Sequence, residues 1–239
     1  MLIYGHRGAR GEAPENTLAS FDKALQAGVT RVELDLHLSS DQQLMVIHDP
    51  TLQRTTGIKG KVASHTAAQL TQLDARHGLH GWPDPCPIPT LEQLFQQFPE
   101  FEHYQLEVKG GSRAQAEPML DAICSLVARY DLQDKVVITS ASRHLLRRAR
   151  DTQCPLPTGL VEEYGMLDPV KSALRYRCQF LALNWKLCTP ARIAHAHRHG
   201  LHVSTWTVND PQLMLKLRDM GVDSLITDVP QLAVTVLAG

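Results

Sequence analysis

Residues 31–38 read Arg-Val-Glu-Leu-Asp-Leu-His-Leu. Apolar and polar side chains alternate through the run, the period of a strand, in which residues two apart share a face. Glu33 and Asp35 therefore point to one side, about 7 Å apart along the backbone. Glu107 and Lys109 repeat the relation around Val108. In a closed barrel this leaves the charged side chains inside and the leucines and valines against surrounding helices.

Working outward, short β-branched or apolar runs alternate with longer segments of helical period, eight pairs in all. The expected strands are Leu2–Tyr4, Arg31–Leu38, Tyr104–Val108, Lys135–Ser140, Pro157–Val161, Phe180–Asn184, His202–Val208 and Asp223–Thr227. Leu18, Phe21 and Leu25 recur at helical spacing between two of them, as do Leu120, Ile123 and Val127, and Leu213, Leu217 and Met220. Thr189-Pro190 and Asp210-Pro211 read as helix caps followed by proline in the first turn. Eight alternations with right-handed crossovers predict an α/β fold, a TIM (β/α)8 barrel; an open doubly wound sheet is the alternative. After Leu44–His48, itself strand-like, residues 49–89 are rich in Gly, Pro, Thr and His and lack a long apolar stripe. They read as a small insertion after the second strand that roofs the strand carboxyl ends and carries structure of its own, with a short helix at Thr66–Leu73. No repeat, linker or low-complexity tract divides residues 1–239 into further domains.

Composition limits the partners. The chain has 239 residues, 43% of them hydrophobic, enough for a large core. Lysine plus arginine (24) nearly balance aspartate plus glutamate (25), so no global field draws in nucleic acid or an anionic membrane, and anion recognition must be local. No apolar stretch approaches the roughly 18 residues of a membrane span, and Leu2–Tyr4 is too short for a signal-peptide core of about 7 or more. Five widely spaced cysteines without a C-x-x-C pair suit reduced thiols, so a cytoplasmic location is expected. The subunit count is left open.

A barrel places its active site at the carboxyl ends of its strands. His6 and Arg7 follow the first expected strand, Glu33 and Asp35 lie late in the second, His48 ends the extra run, Glu107 and Lys109 end the third strand, and Trp206 and Asn209 lie near the end of His202–Val208. Three carboxylates and a lysine pointing inward cost several kcal/mol unless compensated. A hard divalent cation held by Glu33, Asp35 and Glu107 is one compensation, and oxygen ligands favour Mg²⁺ or Ca²⁺ over zinc. Interior salt bridges among these acids, Arg7 and Lys109 are the other. His6 and His48, with ordinary values near neutrality, suit general acid and base roles, and Arg7 and Lys109 suit phosphate.

His6-Arg7-Gly8, Pro14-Glu15-Asn16-Thr17, Glu33-Leu34-Asp35, His48-Asp49, Leu52-Gln53-Arg54-Thr55-Thr56-Gly57, Leu106-Glu107-Val108-Lys109, Trp206-Thr207-Val208-Asn209 and Ile226-Thr227-Asp228-Val229-Pro230 occur in that order over nearly the whole chain. Together they resemble the glycerophosphodiester phosphodiesterase family, in its short cytoplasmic bacterial form. The resemblance implies a metal-dependent barrel that splits small glycerophosphodiesters into glycerol 3-phosphate and an alcohol. It implies a metal at Glu33, Asp35 and Glu107, catalysis by His6 as base and His48 as acid, and substrate contacts from Arg7, Lys109 and Trp206. By analogy, the substrate's own neighbouring hydroxyl attacks the phosphorus. Two departures stand out: Ser39 or Ser40 where the family commonly has threonine, and Ser140-Ala141-Ser142 where a serine–phenylalanine pair is common. The insertion, with His80 and Trp82, carries no usable pattern. Lysophospholipase D-type activity and a non-catalytic phosphate-binding barrel are the competing functions.

Some polar clusters read as structural. His195 and His199 share a helix face, but that helix runs back toward the amino ends of the strands. Arg143–Arg150 reads as an amphipathic helix with a solvated basic face. Asn16 and Thr227-Asp228 read as helix caps and are left off the site.

Overall fold

The computed structural model describes residues 1–79, 81–109 and 113–238, with only the backbone of Arg113 included. The elements in chain order are β1 (Leu2–His6), α1 (Leu18–Gln26), β2 (Arg31–Leu38), β3 (Leu44–Val46), α2 (Gln53–Thr56), α3 (Ala67–Leu70), α4 (Leu91–Gln97), β4 (His103–Val108), α5 (Ala116–Arg129), β5 (Val136–Ser140), α6 (Arg143–Asp151), β6 (Thr158–Glu162), α7 (Pro169–Arg175), β7 (Phe180–Asn184), α8 (Pro190–Arg198), β8 (His202–Trp206), α9 (Pro211–Asp219), β9 (Ser224–Thr227) and α10 (Pro230–Ala238). The expected strands are all present, with ends shifted by one or two residues, as is usual where terminal hydrogen bonds fray.

Parallel pairing runs from β1 through β2, β4, β5, β6, β7, β8 and β9 and returns to β1, which closes the barrel. β3 lies outside the ring, antiparallel to the end of β2 through Leu36↔Val46 and Leu38↔Leu44. Alternation decides what faces inward. Val32, Leu34 and Leu36 are buried in the layer between barrel and helices, with Phe21, Leu106 and Ile123. Register then aligns the inward residues: His6 pairs with Glu33, and Asp35 with Glu107, so charges from three strands meet at one level. A level below, the interior is so narrow that a Cβ on Gly159 would stand 2.7 Å from the Phe180 Cβ and 2.9 Å from Thr139 Cγ2.

Thr189 and Asp210 cap α8 and α9, each followed by proline in the first turn. The insertion has its own packing, as Met45, Ile47, Leu52, Val62, Leu70 and Ile88 form a small apolar cluster. α3 falls within the expected Thr66–Leu73, and Thr66 and Gln69 close a reciprocal capping box at its start. His80, singled out from sequence, lies outside the described residues. Among the described residues no helix is long and apolar enough to cross a membrane.

Candidate active site

β1 ends in a turn that places two side chains in opposite roles. Arg7 and Gly8 both adopt left-handed backbone, at φ of 50° and 84°. A Cβ on Gly8 would lie 2.5 Å from the Ser20 carbonyl carbon, so the turn fits against α1 only with glycine there. Ser20 Oγ donates to the Arg7 carbonyl at 2.7 Å and fixes the turn from below.

Glu33, Asp35 and Glu107 offer oxygens that all lie within 4.8 Å of one another. Both compensations anticipated from sequence bear on this cluster. Arg7 Nε stands 2.9 Å from Asp35 Oδ2, and Lys109 Nζ stands 3.0 Å from Asp35 Oδ1 and 2.6 Å from Glu107 Oε1. Burial acts to raise Asp35, but the two cations outweigh it and hold the carboxyl well below its usual range. Glu33 fares differently: burial first, then Asp35 and Glu107, push it well above the usual value, and its Oε1 is buried with no hydrogen-bond partner among the described residues. Burial raises Glu107 as well. The protein's own cations thus ion-pair with Asp35 and leave Glu33 short of positive charge, and Asp35 Oδ1 joins Glu33 Oε1 in having no hydrogen bond among the described residues. An all-oxygen donor set with an orphaned buried carboxylate oxygen fits a hard divalent cation.

Two histidines flank the acids, and each is held in the same way. His6 Nδ1 donates to Asp228 Oδ1 at 2.5 Å, and His48 Nδ1 donates to Asp49 Oδ1 at 2.6 Å. A carboxylate at Nδ1 selects the tautomer whose Nε2 is the free acceptor. Nε2 of His6 faces the acid cluster, 3.8 Å from Glu33 Oε2. Burial lowers His6 below its ordinary value, opposed by the hydrogen bond to Asp228. His48 is also lowered by burial, with Asp35 opposing, but it is the more exposed, its side chain 33% accessible against 9%.

Sequence reasoning missed the residues that hold these groups. Asp228, expected to cap the last helix, instead orients His6. Its Oδ2 accepts from Asn209 Nδ2 at 2.8 Å, while Asn209 Oδ1 accepts from the Asp228 amide at 2.9 Å. Asn16 does not cap α1: Thr17 does, its side chain accepting from the Ser20 amide, which frees Asn16 Nδ2 to donate to Asp35 Oδ2 at 2.8 Å. The available signal was a surplus, two adjacent capping residues for one helix start. Arg54, from α2 in the insertion, donates to both Glu15 oxygens at 2.8 Å and to Asp49 Oδ2 at 2.7 Å. Glu15 in turn accepts from Arg7 Nη1 at 2.8 Å. An unbroken ionic chain therefore runs from His48 through Asp49, Arg54, Glu15 and Arg7 to Asp35.

His6, Arg7, Glu33, His48, Glu107 and Lys109 line one cavity of about 390 Å³ at the strand carboxyl ends, and Asp35 lies buried beneath it. Trp206 forms part of its wall; the indole N–H is bound to the Ala182 carbonyl at 3.2 Å, so the ring offers a face. Ala141, one of the departures noted from sequence, lines the cavity, while Ser142 caps α6. The clusters read as structural lie elsewhere or are internally paired. His197, beside His195 and His199 on α8, bonds Asp223 at 2.9 Å just before β9, at the amino end of the barrel. On α6, Arg143 pairs with Glu162 and Arg148 with Glu117.

Comparison with known proteins gives concordant similarities. A family model described as the glycerophosphoryl diester phosphodiesterase family matches residues 6–232. A glycerophosphodiester phosphodiesterase of Caldanaerobacter subterraneus subsp. tengcongensis is 29% identical over 237 residues, covering 99% of this chain and 97% of the relative. A human lysophospholipase D is 24% identical over 264 residues, covering 94% of this chain and 82% of the relative. An Oleispira antarctica phosphodiesterase, solved in complex with the product sn-glycerol-3-phosphate, superimposes with a TM-score of 0.89 at 26% identity, covering 100% of this chain and 97% of the other.

Proposed function

The chain belongs to the glycerophosphoryl diester phosphodiesterase family and is a phosphoric diester hydrolase, and from that premise we propose how it works: as one catalytic unit that splits glycerophosphodiesters into glycerol 3-phosphate and an alcohol, with a divalent cation and with His6 and His48 as proton carriers. The observation that carries this reading is the pair of carboxylate-backed histidines on either side of the three-acid cluster, within one cavity.

Glu33, Asp35 and Glu107 would hold the cation, Mg²⁺ or Ca²⁺. When bound, it supplies positive charge that offsets the negative charge growing on the phosphoryl oxygens. Arg7 and Lys109 bind the phosphate: both reach the cavity while remaining anchored to Asp35, so little reorganisation accompanies the reaction. His6, deeply buried and held neutral, accepts the proton of the attacking glycerol hydroxyl at Nε2. Asp228 stabilises the imidazolium that results. His48, nearer solvent and paired with Asp49, enters the cycle protonated and gives its Nε2 proton to the departing alcohol; the cyclic glycerol phosphate left behind is then opened to glycerol 3-phosphate by a water molecule, with the two histidines in reversed roles. The Trp206 face and the small Ala141 leave space for the leaving group beside the phosphate. From the insertion, Asp49 and Arg54 deliver His48's support, and the five free thiols suit a cytoplasmic setting.

The test is to incubate the protein with glycerophosphocholine, with and without a chelator, and to measure glycerol 3-phosphate. Release that stops on chelation and returns with Mg²⁺ or Ca²⁺ is expected. Turnover untouched by chelation would remove the cation. Production of lysophosphatidate from lysophosphatidylcholine, without hydrolysis of glycerophosphocholine, would transfer the site to the lysophospholipase reading.

A further inference from the structure

Away from the barrel mouth, two thiols meet. Cys124 on α5 and Cys154, in the turn from α6 to β6, place their sulfurs 3.6 Å apart. Cys86, Cys178 and Cys188 are fully buried, whereas both members of this pair are only partly buried. They lie at the rim of the apolar cluster between barrel and helices. Cys154 is flanked by exposed Gln153 and Pro155, so a small reagent reaches it from solvent. The Cys154 amide donates to the Ala149 carbonyl at 2.8 Å, after the Thr152 and Gln153 amides have donated to the Arg148 and Arg150 carbonyls at 2.9 and 3.2 Å. A disulfide needs about 2.05 Å between sulfurs. The remaining gap of about 1.5 Å is within reach of a side-chain rotation and a small adjustment of the exposed turn.

We propose that Cys124 and Cys154 are a thiol–disulfide modification site, in which a low-molecular-weight disulfide oxidises the pair to a bridge between α5 and the α6–β6 turn. In the first step the Cys154 thiolate attacks one sulfur of the reagent, forms a mixed disulfide and expels one thiolate. In the second, Cys124 loses its proton and attacks the Cys154 sulfur, expelling the second thiolate. Two protein thiols and one small disulfide thus become one protein disulfide and two small thiols. The order of attack follows from the contact itself. The thiol–thiol contact, with the Leu156 amide, draws the Cys154 thiol down to about 7, while the same contact and burial push the Cys124 thiol above its usual value. A thiol near ambient pH combines thiolate content with nucleophilicity.

The bridge would close a segment containing β5 and α6, on the side of the barrel away from the catalytic strand ends. It should therefore change stability rather than turnover, and it stands independently of the hydrolase reading. Loop closure of this length raises the melting temperature by several degrees. The experiment treats the folded protein with oxidised glutathione and follows intact mass, non-reducing peptide maps and thermal melting. The wild type should lose two hydrogens, show a 124–154 cross-link and melt several degrees higher, reversibly with reductant. Cys124→Ser should stop at one glutathione on Cys154, and Cys154→Ser should take up none at Cys124 on the same time scale. Two separate glutathione adducts in the wild type, or no adduct at Cys154 in Cys124→Ser, would overturn the proposal. All forms should keep wild-type turnover of glycerophosphocholine.

Discussion

At the scale of single residues, the site depends on which nitrogen of each histidine is free. Asp228 and Asp49 make the choice, through bonds of 2.5 and 2.6 Å to Nδ1. Asp228→Asn keeps the shape but allows the amide to present a donor to Nδ1, which favours the wrong tautomer of His6. A fall in kcat of about 10²-fold or more is expected, by comparison with the carboxylate that orients the histidine of a hydrolase triad. The thermal midpoint should move little, because Asn209 remains to bind the substituted side chain. Steady-state kinetics beside a melting curve check this, and an unchanged kcat would remove Asp228 from the mechanism. The acids and histidines were legible in the sequence because strand period and position at strand ends mark them. Asp228 and Asn16 were not, since a residue before a helix has an ordinary use as a cap. Only the tertiary partner, His6 in one case and Asp35 in the other, reveals the different employment.

At the scale of elements, the insertion matters more than its composition suggested. From sequence it read as a roof with structure of its own; the small apolar cluster shows the structure. Its electrostatic tie to the barrel was less visible, because Arg54 meets Glu15 across 39 positions of chain. Arg54 joins α2 to the turn after β1 and to Asp49 at once, and its hydrogen bonds to Glu15 and Asp49 hold the guanidinium above its usual value. Burial would raise Glu15, yet Arg54 and Arg7 bring it down to about 2. Arg54→Ala should loosen Asp49, and with it His48, while releasing Glu15 from one of its two arginines. We expect kcat to drop about tenfold and KM for the phosphodiester to rise a few-fold, with Arg54→Lys recovering only part because ammonium lacks the planar fork. If Arg54→Ala matched the wild type in both constants, the ionic chain would be structural ornament only. The barrel elements, by contrast, were readable almost to the residue: an alternating strand with one apolar face has few places to go other than a helix-covered sheet.

For the molecule as a whole, the barrel has a polar top and a second titratable layer at its base. There His103 accepts from Tyr4 Oη at 3.0 Å, stacks on Phe180 and stands near His202 and Arg31. Burial first, then the Arg31 and His202 charges, lower His103 from 6.5 to about 4; His202 is lowered by burial too. A histidine with a depressed folded value leaves stability intact above the unfolded value. As pH falls from about 6.5 toward 4, the unfolded chain takes up the proton first and stability is lost, by about 3 kcal/mol at most for His103. Glu33, raised in the folded state, works in the opposite sense, so the comparison needs a variant. Denaturant titrations at pH 7 and pH 4.5 should show a smaller acid loss in His103→Gln than in the wild type; equal losses would mean that His103 does not titrate with unfolding. The top of the barrel carries one more consequence. His6 and Asp228 are 222 positions apart, so the histidine from the first strand is oriented by the loop after the last one. A chain emerging from the ribosome holds its histidine long before it receives the orienting partner. On the proposed mechanism, catalytic competence is a readout of completed ring closure, and a chain cut short of β9 would sit idle beside its substrate.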